Sequence, residues 1–148
     1  MNDETKKFFN EVTLINVFTP KEGKAEEFAR AQATDFESFG ERLDGAFENS
    51  LYISVNGDNK PRVINVARFE SLEVFYRSTN SEEFKQHIET IRPLLDQGEP
   101  MLCQLVWQSK KCSDNDLDRA LLEFFPKQVA ENRSLSDRFG KRELKKSA

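Results

Sequence analysis

The chain has 148 residues, 22 Lys+Arg against 26 Asp+Glu, a formal net charge of −4 and 37% hydrophobic residues. That length suits one domain with room for a tail, and the low apolar share implies that part of the chain stays out of the core. The mildly acidic balance argues against bulk nucleic-acid binding, no apolar run approaches the ~20 residues of a membrane span, and two cysteines with one histidine exclude a disulfide scaffold, a Cys-rich zinc site or a three-histidine metal centre.

Residues 1–10 are polar apart from Phe8-Phe9 and are expected to form a loose arm. They lead into no long apolar stretch, so no secretory signal is read and a cytoplasmic setting with reduced thiols is expected. Val12 to Phe18 is apolar and β-rich, and Pro20-Lys-Glu-Gly23 stops it. A helix is predicted from about Lys24 to Leu43, with Ala25, Phe28, Ala29, Gln32, Phe36, Phe39 and Leu43 in one stripe. Asp44-Gly45 breaks it. Ala46 to Val55 then alternates, with Phe47, Asn49, Leu51, Ile53 and Val55 on one side, and Asn56-Gly57-Asp58-Asn59 reads as a hairpin turn before a strand over Arg62–Phe69. Ser71 and Ser81 can each cap a helix, the first carrying Leu72 and Phe75, the second Phe84, Ile88 and Ile91, with a break at Ser78-Thr-Asn80. Pro93 and Gly98 are expected to end the helical region, and Pro100 to Trp107 to form the last strand. Asp114 to Phe125 suits a short amphipathic helix capped by Ser113 or Asp114, with Leu117, Leu121 and Phe124 on one side. Beyond Pro126 the chain is polar and basic, expected as a disordered tail or a contact arm. The domain is thus expected over 11–110, with an extension over 111–148.

The order β-α-β-β-α-β predicts an α+β fold, a four-stranded antiparallel sheet with both helices on one face. The other face then lacks a cover. Thr13, Ile15, Val17, Ile64 and Val66 can lie there, with Met101, Cys103, Leu105 and Trp107 or their alternates, and so large an apolar face predicts a homodimer.

Asn16 and Asn65 each sit in the middle of an apolar strand, where an amide needs partners. If both face the helices, two amides point into an otherwise apolar space, the composition of a small-molecule site; alternatively each satisfies a local backbone group. His87, the one histidine, reads either as a general base or as a partly buried flank residue. Arg68 and Arg92 suit an anionic or carbonyl group, or a solvated face. Phe36, Phe39, Phe47 and Phe69 suit an aromatic pocket, or plain core. No phosphate loop, dinucleotide fingerprint, HExxH or Gly-x-Ser-x-Gly is present.

The segment from Val12 to about Gln108 resembles the antibiotic biosynthesis monooxygenase family of dimeric α+β barrels. The resemblance rests on Val12-Thr-Leu-Ile-Asn-Val-Phe with Lys21-Glu-Gly-Lys, on Asn65-Val-Ala-Arg-Phe-Glu-Ser71 with Phe75, and on Ser81-Glu-Glu-Phe-Lys-Gln-His87 leading to Pro93 and Glu99-Pro100. It implies a ferredoxin-like monomer, a dimer through the sheets and a pocket between sheet and helices. Some members oxidise phenolic polyketides with molecular oxygen and no added cofactor. On that pattern Asn65 is the strand asparagine that hydrogen-bonds a substrate oxygen, and Phe69 stands where a tryptophan is usual. His87 fits a Phe-x-x-His pattern of the family.

The leading expectation is therefore a cofactor-independent monooxygenase of a small hydrophobic or aromatic molecule, with Asn65 and His87 catalytic and Asn16, Phe69, Arg68 and Phe36 binding. One alternative is a non-catalytic ligand-binding or interaction protein of the same fold. A second is heme binding or degradation, because Asn16 also fits the first-strand asparagine of a heme-degrading branch. That branch's iron-binding histidine would fall at Ile88, one position and about 100° of helix away from His87.

Overall fold

The computed structural model describes residues 10–42, 46–55 and 60–123. The arm through Phe9, the Asp44-Gly45 break, the Asn56–Asn59 turn and the tail beyond 123 lie outside the described residues, as do Leu43, Phe124 and the side chains of Phe39 and Phe47.

The chain runs β1 (Val12–Pro20), α1 (Ala25–Arg42), β2 (Ala46–Ile53), β3 (Val63–Phe69), α2 (Leu72–Thr79), α3 (Glu82–Ile91), a 3-10 turn (Arg92–Leu94) and β4 (Leu95–Gln104). A further helix, α4, covers 114–123. The sheet order is β2-β3-β1-β4, with every neighbouring pair antiparallel. This is the expected ferredoxin-like α+β arrangement. β1 and β2 run the same way with β3 between them, so α1 must cross over the sheet, as α2 and α3 must between β3 and β4.

Local chemistry sets most boundaries. Gly23 takes a φ of +75° at the turn out of β1, a region that favours glycine. Glu26 and Glu27 sit in the first turn of α1, where the helix dipole favours negative charge. The Ser71 hydroxyl accepts from the Val74 amide and the Ser81 hydroxyl from the Phe84 amide, both at 3.2 Å, which caps α2 and α3 as expected. Ser81 is extended (φ −72°, ψ 154°), so the two helices cannot fuse. α4 opens with a reciprocal cap: the Ser113 amide donates to Asp116 at 2.9 Å and the Asp116 amide donates to the Ser113 hydroxyl at 3.3 Å.

The last strand differs from expectation. β4 begins at Leu95 and ends at Gln104, so Gly98 and Pro100 lie inside it and Leu105 and Trp107 lie beyond it. Gly98 was expected to lie before the strand and Pro100 to open it. Pairing with β1 extends the strand back through Gly98, with Gly98 opposite Phe18 and Pro100 opposite Asn16. β4 is an edge strand, the position in a sheet that tolerates proline. β2 likewise stops at Ile53, short of Val55, with a register shift between Ala46 and Glu48.

The core lies between sheet and helices in two clusters. Val12, Leu14, Ala67, Phe69 and Leu102 pack against Val74 and Phe75 of α2. Phe18, Val63 and Leu95 pack against Phe28 of α1 and Ile91 of α3. On the opposite face Ile15, Val17, Ile64 and Val66 are half-buried, while Tyr52 and Met101 are exposed. No helix among the described residues is long and apolar enough to cross a membrane.

Candidate functional site

Side chains alternate faces along a strand, so Asn16 shares the helix-facing side with Leu14 and Phe18, and Asn65 shares it with Val63 and Ala67. The register makes Asn16 and Asn65 direct partners across β1 and β3. Leu51 lies beyond Asn65 on β2 and Pro100 beyond Asn16 on β4, which completes a row across the sheet. The row falls between the two core clusters. Phe69 and Phe75 stand on one side, edge to face at 5.5 Å. Phe18 and Phe28 stand on the other, with ring centroids 4.8 Å apart.

Asn65 is 1% exposed. The Oδ1 atoms of both asparagines are buried and accept no hydrogen bond. Neither oxygen therefore bonds a local backbone group. A buried acceptor without a donor costs about 1–3 kcal/mol, and here two such acceptors belong to cross-strand partners between apolar clusters. Each of these oxygens can accept from an O–H or N–H donor.

His87 is placed elsewhere. It is 3% exposed and lies in the contact between α3 and α1. Its Nδ1 is 2.6 Å from Asp35 Oδ2 and its Nε2 is 2.7 Å from Gln32 Oε1. The Phe36 ring meets it edge-on at 5.1 Å. Burial pushes the imidazole below its ordinary pKa, and the hydrogen bond and charge of Asp35 oppose that shift. Both ring nitrogens are engaged, so acting as a base or as an iron ligand requires breaking one of these bonds.

Arg68 does not join the asparagines. It projects from the opposite face of β3, where Nε and Nη2 donate to the two Glu11 oxygens at 3.0 and 2.7 Å, and Nη1 donates to Glu48. These bonds, Glu11's first, hold the guanidinium above its ordinary pKa. Phe36 belongs to the His87 cluster and Phe69 to the wall beside the row. Sequence reasoning did not single out Asp35 or the pairing of Gln32 with His87. The available signal was Gln32 itself, a polar residue between Phe28 and Phe36 on an otherwise apolar stripe. Among the described residues no group of three or more His, Cys, Asp or Glu side chains is arranged to hold a metal ion.

Residues 11–90 match the family model for antibiotic biosynthesis monooxygenase. No curated protein matches the chain at a significant level. Among solved structures, SnoaB, a cofactor-independent oxygenase from Streptomyces nogalater, is 25% identical with a TM-score of 0.60, over 69% of this chain and 99% of that one. Rv0793 from Mycobacterium tuberculosis is 15% identical with a TM-score of 0.58, over 68% of this chain and 99% of that one. A conserved protein from Methanosarcina mazei Go1 is 13% identical with a TM-score of 0.60, over 68% and 97%. The last two are similar in fold alone.

Proposed function

The chain belongs to the antibiotic biosynthesis monooxygenase family, and from that premise we propose that it oxygenates a small aromatic compound with molecular oxygen and no added cofactor. The observation that carries the proposal is that the cross-strand partners Asn16 and Asn65 each bury a carboxamide oxygen that has no donor. A phenol or enol presents the donor they lack. Held there, its ring lies between the Phe69–Phe75 and Phe18–Phe28 pairs. Oxygen reacts with the ionised phenol or enol, so the bound hydroxyl first passes its proton to water and the carboxamides turn their N–H₂ groups to the resulting anion; the protein's share is binding and orientation. The similarity to SnoaB, itself described as a cofactor-independent oxygenase, supports the same reading.

In this reading Asn65 and Asn16 contact the substrate and Phe69 forms a wall. His87 holds α1 against α3, because both its ring nitrogens are engaged there. Two copies of the chain pair through the open sheet face around Ile15, Val17, Ile64 and Val66, with residues 111–148 as an appendage.

The test is oxygen uptake with anthrone- and naphthol-type phenols, no cofactor added, on the wild type, Asn65→Ala and Asn16→Ala. Protein-dependent uptake that falls at least tenfold in Asn65→Ala is the expected result. Uptake equal in all three proteins refutes the site. Binding of these phenols without uptake supports the second reading, a ligand-binding role, which Phe69 favours because it lacks the indole of the family pattern.

A further inference from the structure

We infer that the C-terminal extension seats on an anionic lipid surface, with leucines of α4 entering the interface and the basic stretch after Pro126 holding the head groups. The described part of the extension, α4 over 114–123, has two sides. Leu117 is half-buried and Ala120 fully buried, so that side is taken up by the protein. Leu121 and Leu122, in the last turn, are 45% and 83% exposed. The acids Asp114, Asp116 and Asp118 occupy the first half of the helix, and Glu123 alone stands beside the leucines. The sequence then continues Phe124-Phe125-Pro126, so four large apolar residues fall within five positions where the basic stretch begins.

An exposed leucine by itself is ordinary. The charge that follows these two is not. Residues 124–148 carry seven Lys+Arg against three Asp+Glu, whereas residues 1–123 carry 15 against 23. The arm is cationic on an acidic body. Arg138, Lys141, Arg142, Lys145 and Lys146 recur three and four apart, the spacing that gathers charges on one face when a chain turns helical at a surface. An anionic bilayer attracts that charge, repels the body and offers hydrocarbon to the leucines. A nucleic acid matches the cations but gives Leu121 and Leu122 nothing. A few apolar side chains or a short polybasic run each hold a bilayer weakly and reversibly, and the two signals together add. Such a contact lies on the bilayer; no helix among the described residues is long and apolar enough to cross one. None of these residues belongs to the asparagine row, so the arm's contact is independent of what the row binds.

The test is sedimentation of the full chain with vesicles. Phosphatidylcholine vesicles holding roughly one third phosphatidylglycerol are compared with phosphatidylcholine alone, at about 0.05 M and about 0.5 M salt. The expected result is binding to the anionic vesicles at low salt, roughly tenfold weaker binding to the neutral ones, and loss of most binding at the higher salt. Leu122→Ser is expected to weaken binding roughly fivefold. Arg142→Glu combined with Lys145→Glu and Lys146→Glu is expected to abolish it. Each variant is expected to keep the wild-type thermal midpoint, Leu122 being 83% exposed, so that lost binding is not lost folding. No binding to anionic vesicles, equal binding to both kinds, or binding unmoved by Leu122→Ser overturns the assignment. Tighter binding to duplex DNA than to anionic vesicles, lost in the charge variant and kept in Leu122→Ser, overturns it in favour of a nucleic-acid arm.

Discussion

Asn65→Leu separates the demands of folding from those of the site. The substitution keeps the branch at Cγ and exchanges the two polar atoms for methyl groups. Asn65 is 1% exposed and its Oδ1 has no donor, so the wild-type side chain carries an unsatisfied acceptor into the core. Removing that acceptor recovers part of a penalty of about 1–3 kcal/mol, and the new methyls add burial at roughly 25 cal/mol per Å². Against this stands the strain of a slightly larger side chain between two packed clusters, on the order of 1 kcal/mol. The net expectation is a gain of about 1–2 kcal/mol, or roughly 3–6 °C in Tm for a protein of this size. Urea and thermal denaturation without ligand measure it. Phenol-dependent oxygen uptake on the same variant should be lost, so the two readouts move in opposite directions. A variant less stable than wild type by more than about 1 kcal/mol would refute the reasoning, because it would mean that the carboxamide already has its partners in the free protein.

The remaining expectations concern the frame around the row. Ser71→Ala and Ser81→Ala each remove a helix cap and should cost about 1 kcal/mol in urea unfolding, with Ser81 the larger because its hydroxyl also donates to the Ser78 carbonyl at 2.6 Å. Glu48→Gln should cost less than about 0.5 kcal/mol, since that carboxylate is 52% exposed; Glu11→Gln should cost more, because its side chain is only 11% exposed and takes two bonds from Arg68. The His87 pKa is lowered on folding, so the unfolded chain binds the proton more tightly. The stability linked to this residue is full above pH 6.5 and declines as pH falls from there towards the folded value. Urea midpoints of wild type and His87→Gln between pH 5 and 8 should diverge in that window and run parallel above it.

The elements that local chemistry dictates were legible in the chain itself. Ser71, Ser81, Gly23 and the alternation of β3 act within a few residues of where they sit, and they mark boundaries found in the structure. The start of β4 was placed too late because Gly98 looks like a breaker until β1 is placed beside it, and that placement is a contact between distant segments. The two asparagines were each conspicuous as amides in apolar strands. That they face one another is a matter of register between β1 and β3, which neither strand encodes alone. His87 stood beside its stripe as a lone polar residue, but its partners come from α1, more than fifty positions away in the chain.

Pro100 has a consequence for how copies of this chain can associate. A sheet grows into a fibre by adding strands at both of its edges, and each addition needs a row of backbone donors and acceptors. At the β4 edge one donor is missing, because proline has no amide hydrogen, whereas the β2 edge carries no such interruption among its described residues. Edge-to-edge growth through β4 is thereby blunted at Pro100.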